Sequence, residues 1–159
     1  MAKDTDEMTD QEIRNRIIRL GFRGDEKLME AFCGKLQAGL PPNTGVALRG
    51  SVVTNERYED QREFDADGPG TSDLDVTLIG DEVIKKWNDD AYYIPKLHTK
   101  PLCDKDPNIA PELRPLREEL QKMMGRPVNF QATANLILFV RDVILDQPYF
   151  MLVEPGKNS

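Results

Sequence analysis

The chain predicts an α/β (α+β) fold, a small mixed β-sheet flanked by helices, and three observations carry that prediction. Apolar residues recur at helical spacing in residues 9–20 and 25–36, and short apolar runs at 46–48 and 76–79 suit buried strands. Glycine and proline punctuate the chain between these segments. At 159 residues with 39% apolar content, the sequence is most naturally one domain, 1–159, with a single core.

The elements follow in order. Residues 1–8 are polar and expected to fray. Thr9 with Glu12 three residues later forms a capping-box pattern, and Ile13, Ile17, Ile18 and Leu20 make the apolar stripe of a first helix that Gly21 ends. Asp25 caps a second helix through Leu28, Met29, Phe32 and Leu36, stopped by Gly39 and Pro41-Pro42. After the strand at 46–48 and the strand at 76–79, Asp81 is expected to cap a short helix through Val83, Ile84 and Trp87, and Ala91–Ile94 reads as a brief strand. Residues 95–111 look irregular. Pro111 opens a helix running to Gly125, with Pro115 still inside its first turns. Pro127–Ala132 alternates as a strand does, and Thr133 is expected to start an apolar helix, residues 134–145, strongly apolar from Leu136 to Leu145 and buried on more than one side. Pro148–Val153 closes the pattern as a strand or extended segment.

Charge and length limit the function. A net charge of −7 argues against gripping extended nucleic acid, which needs a basic face. Arg14, Arg16 and Arg19 on the first helix read as a solvated surface. The longest apolar run, 136–140, is too short for a membrane span, the start is not that of a signal peptide, and a cytoplasmic protein is expected. Cys33 and Cys103 lack a CxxC pattern and read as free thiols. Trp87, Tyr92 and Tyr93 could stack a base but suit core or sheet-edge roles better, and His98 reads as an exposed or hydrogen-bonded loop histidine.

Residues 46–80 carry the functional signal. Asp73-Leu74-Asp75 sits at the head of an apolar strand, where residues i and i+2 share a face, so both carboxylates can meet at one spot. Divalent metal relieves their repulsion, and Mg²⁺ is typically held by one or two carboxylates plus water and substrate phosphates. Gly50-Ser51, after the strand ending in Arg49, offers backbone N–H groups and a hydroxyl to a phosphate with no side chain in the way. Arg49 is a candidate phosphate clamp, and it could equally pair with a local acid.

Strand, Gly50-Ser51, then Ser72-Asp73-Leu74-Asp75 followed by an apolar strand resembles the polymerase-β-type nucleotidyltransferase superfamily, above all its minimal bacterial members. The resemblance covers residues 44–80. It implies transfer of a nucleoside monophosphate from an NTP to a hydroxyl acceptor, with Asp73 and Asp75 holding one or two Mg²⁺ and Gly50, Ser51 and Arg49 on the nucleotide phosphates.

Two departures stand out. The link from Ser51 to Asp73 is longer than minimal members need, and the excess, residues 55–70, is rich in charge and glycine, so a mobile insertion beside the site is expected. Its Asp65-Ala66-Asp67-Gly68 fails the EF-hand pattern, with Pro69 and Val76 at ligand positions five and twelve. The superfamily's third carboxylate, on a later strand beside the Asp-x-Asp strand, is matched here by Asn129, an uncharged and weak metal ligand that cannot act as a base. Three explanations compete: Asp142 or Glu154 supplies the acid, two carboxylates suffice, or the fold serves as a catalytically weakened nucleotide-binding or antitoxin-like partner-binding protein.

Overall fold

The computed structural model describes residues 5–57 and 60–156. Residues 1–4 of the polar start, and Tyr58 and Glu59 of the insertion, lie outside the described residues.

The helices form where capping and apolar spacing place them. Helix α1 (Asp10–Gly21) begins with the full capping box, Thr9 Oγ1 accepting from Glu12 N–H and Glu12 Oε1 accepting from Thr9 N–H. Helix α2 (Glu26–Gly39) is capped by Asp25 and turns Met29, Phe32 and Leu36 into the core. A 3₁₀ turn at Pro111–Leu113 leads into α5 (Arg114–Met124), where Pro115 falls in the first turn and Gly125 ends the helix in the left-handed conformation. Three shorter helices complete the set: α3 (Ser51–Thr54), α4 (Asp81–Ile84) and α6 (Leu136–Asp142).

Six strands make one mixed sheet: β1 (Gly45–Arg49), β2 (Leu74–Ile79), β3 (Tyr92–Ile94), β4 (His98–Thr99), β5 (Val128–Thr133) and β6 (Tyr149–Val153). Their spatial order is β3-β4-β5-β2-β1-β6. Only β2 and β5 run parallel, and the chain between them crosses over through α4, β3, β4 and α5. The expected α/β class, a mixed sheet flanked by helices, is what the chain forms.

Register separates the two faces of the sheet. Partners across a ladder share a face, so Leu48, Val76 and Phe130 stand together, as do Val46, Leu78 and Ala132. All six are buried and belong to a core shared with α1, α2 and α5. The opposite face carries the polar groups of the central strands, Arg49, Asp75 and Asn129 in one row, then Thr77 with Gln131, then Thr133, alongside Ala47 and Ile79. Helix α6 lies on this face, with Phe139 beneath Arg49 and edge-on to His98.

Several expectations are corrected. Residues 5–7 are a 3₁₀ turn whose Thr5 is buried against Arg16, and Arg16 itself is buried, reaching Val53 O at 3.1 Å. A guanidinium that far from water serves as a tie between α1 and α3 and not as a solvated surface. Thr133 ends β5 and Asn135 caps α6, because the Thr133 hydroxyl is occupied by His98 and by the Asn135 backbone. The 134–145 segment is buried on one side only: Phe139 is fully buried, while Ile137 is 80% and Leu145 66% exposed. Asp81 stands inside α4 and its cap is Gly80. The 95–111 stretch contains β4 and a further bridge between Leu102 and Phe130. Two aromatics take the expected core and sheet-edge roles: Trp87 is core, donating to Lys100 O, and Tyr93 is exposed on the edge strand β3. Among the described residues no helix is long and apolar enough to cross a membrane.

Candidate functional site

Four residues on or just before three neighbouring strands meet at the same end of the sheet. Arg49 ends β1, Asp75 lies opposite it on β2, and Asn129 lies opposite Asp75 on β5. Asp73, one residue before β2, is exposed at the rim. The i, i+2 argument holds: the Asn129 amide Nδ2 donates to Asp73 Oδ2 at 2.9 Å and to Asp75 Oδ1 at 3.2 Å, so one nitrogen bridges both carboxylates. Asn129 therefore stands beside the acidic pair, on the strand next to it.

Gly50 lies against the pair from the other side. Its φ is +80°, and a Cβ built there would sit 2.8 Å from Asp75 Oδ2. The turn thus needs glycine for its backbone conformation and again for the carboxylate that lies on it. Ser51 follows as the first residue of α3, and both residues line an open cleft of about 810 Å³. Arg49, Asp73 and Asp75 border the same cleft. One wall comes from the insertion through Arg57 and Gln61, and another from Val143, Ile144 and Leu145 after α6.

Arg49 does not pair with an acid among its described contacts. Its Nη2 donates to Gln131 Oε1 at 2.7 Å, and its guanidinium lies 5.8 Å from the Phe139 ring centre. Gln131 in turn donates to Thr99 O at 2.8 Å. A polar seam thus runs from the cleft into the sheet, with Arg49 Nε buried and without a hydrogen-bond partner among the described residues. Gln131 was not singled out as a site residue, yet its signal was available: Asn129, Gln131 and Thr133 alternate with apolar Val128, Phe130 and Ala132 along one strand.

The alternative acids lie elsewhere. Asp142 accepts from His98 Nε2 at 2.9 Å and from Arg141, and Arg141 first, then His98, holds its carboxyl down at about 2. His98 is fully buried, its Nδ1 2.9 Å from Thr133 Oγ1, so this histidine ties α6 to the sheet. Glu154 follows β6 at the Gly45 end of β1, since Val153 pairs with Val46 while Tyr149 pairs with Arg49. That end is about 13 Å along the strand from Arg49. Neither acid stands beside Asp73 and Asp75.

The insertion is anchored at its second half. Phe64 is buried, and Arg126 lies 4.6 Å over its ring while gripping Asp65 through two bonds of 2.8 and 2.9 Å. Burial raises the Asp65 carboxyl, but the Arg126 bonds and the Ser72 N–H outweigh it, leaving the group below its ordinary range. These contacts also rule out the EF-hand reading, because Asp65 faces an arginine. Arg57 pairs with Asp60 and Asp67, and Arg62 joins Asp67 at 2.8 Å.

Asp73 and Asp75 suit Mg²⁺ that arrives with phosphate oxygens, because two carboxylates on one face leave coordination positions for substrate. No group of three or more His, Cys, Asp or Glu side chains among the described residues is placed to form a closed metal cage. No protein-family model, curated protein or solved structure matches this chain.

Proposed function

We propose that the chain is a metal-dependent nucleotidyltransferase-type protein that binds an NTP with Mg²⁺ and moves its nucleoside monophosphate to a hydroxyl acceptor. The observation that carries this reading is the convergence of Asp73 and Asp75, bridged by the Asn129 amide, with the Gly50 turn in one cleft that both acids and the turn line. The strand order supports it, since the resemblance calls for the third position on a strand next to the Asp-x-Asp strand. When bound, Mg²⁺ would offset the charge of the triphosphate and of the developing transition state.

The residues divide the remaining work. Asp73 and Asp75 hold the ion, and Gly50 and Ser51 seat the β- and γ-phosphates. Arg49, kept in place by Gln131 and Phe139, adds positive charge at the cleft edge. Positioning and charge neutralisation supply the acceleration, because among the described residues no third carboxylate stands beside the pair to draw the proton from the attacking hydroxyl. Transfer is therefore slow.

One observation favours a second reading. Asn129 spends its amide on the acidic pair, which suits a protein that binds nucleotide, or an antitoxin-like partner, without turning over.

Titration calorimetry with a non-hydrolysable NTP, with and without Mg²⁺, tests the reading. Binding that requires Mg²⁺ and disappears in Asp73→Asn and Asp75→Asn is expected; full affinity in both variants would remove the metal-site assignment. Pyrophosphate release from hydrolysable NTP then separates the enzyme from the binding module.

A further inference from the structure

The Asn129 amide has two N–H bonds, and both are spent on the acidic pair, one on each carboxylate. Two carboxylates brought to one spot repel, and in a metal site a cation removes that repulsion. Here the protein carries its own partial positive charge at that point. The register keeps it within reach, because Asn129 sits directly across from Asp75 in the parallel ladder.

We infer that Asn129 is a built-in stand-in for a cation, making this a one-ion site in which the divalent metal enters only with the triphosphate. The inference rests on the nucleotide reading above and specifies its metal count and order of binding. Metal alone must displace an amide that already satisfies both carboxylates, with no anionic ligand added in return. An ion that brings phosphate oxygens with it keeps most of its coordination shell and displaces the amide at less cost. A second ion, about 3.5–4 Å from the first in two-metal sites, would need more anionic oxygens than two carboxylates and a neutral amide provide. The described residues hold no further His, Cys, Asp or Glu grouped with the pair.

Counting Mn²⁺ by the electron paramagnetic resonance of the free ion tests this directly. Wild type with a non-hydrolysable NTP is expected to take up one Mn²⁺ per chain, and wild type without nucleotide none at the same metal concentration. Asn129→Asp is expected to take up two with nucleotide and to gain uptake without it. Two ions per wild-type chain, or uptake by wild type without nucleotide, overturns the inference and leaves the nucleotide reading standing. No nucleotide-dependent uptake by either protein overturns both. If Asn129→Asp does not fold, the wild-type counts decide alone. The Asn129 side-chain amide signals in a ¹⁵N spectrum give a second readout: they shift when Mg²⁺ and NTP are added together and stay in place with Mg²⁺ alone.

Discussion

Gly50 holds a backbone conformation at φ +80°, ψ −155° that is open almost only to glycine, with the Asp75 carboxylate 2.8 Å from where a Cβ would stand. Gly50→Ala therefore meets two penalties, about 1–3 kcal/mol of backbone strain and a displaced Asp75. Urea unfolding should show the lost stability, and nucleotide titration should show weakened binding; an unchanged Gly50→Ala protein would mean that the turn and the acid move freely past each other. At Asn129, replacement by Asp puts a third negative charge beside two others. The melting temperature of the Asn129→Asp apo protein should fall, and added Mg²⁺ should raise it by more than in wild type. Equal melts for the two proteins under both conditions would contradict the bridge that Asn129 makes.

Elements are joined here by buried polar ties as much as by apolar contact. Arg126, two residues before β5, holds the second half of the insertion through Asp65, Ser72 O and the Phe64 ring. Arg126→Ala leaves a half-buried carboxylate unpaired, at an expected cost of about 1–3 kcal/mol. Amide exchange in residues 63–72 should quicken, whereas in wild type Phe64 and Asp65 should exchange slowly; fast wild-type exchange there would mean the anchor is not formed in solution. Helix α6 has an equivalent tie in Asp142. Its carboxyl is lowered from 3.8 to about 2, so the native state binds the proton less readily than the unfolded chain. The stabilisation is fully present above the unfolded value and fades as pH falls through the folded one. Acid titration followed by signals from α6 should show that helix loosening between about pH 4 and pH 2, and Asp142→Asn should remove this pH dependence.

At the scale of the whole molecule, one core joins the sheet to α1, α2 and α5, and Trp87 is buried within it. Unfolding should be a single transition, with Trp87 fluorescence and far-ultraviolet circular dichroism tracing the same curve in urea. Separated midpoints would indicate two cooperative units instead of one. The net charge of −7 leaves little driving force for holding a polyanion, and gel shift with extended nucleic acid should show no complex at physiological salt.

Local chemistry was decisive wherever a few neighbouring residues sufficed. The capping box at Thr9 and Glu12, the Asp25 cap, Gly125 as a stop and the Asp73–Asp75 spacing were all legible, because hydrogen bonds and periodicity within one segment set them. Asn129, singled out only through the resemblance, stands beside the acidic pair on β5. Contacts between distant segments were another matter. Arg16 looked like a surface charge until α3 covered it, and His98 looked like a loop residue until β4, Thr133 and Asp142 enclosed it. Arg126 and Asp65 are 61 positions apart and carry no mutual signal in the sequence. The sequence by itself determined the element types, the acidic pair and its glycine turn. Tertiary structure alone decided which charged groups are buried and what they hold, because that depends on which side chains the sheet register brings face to face.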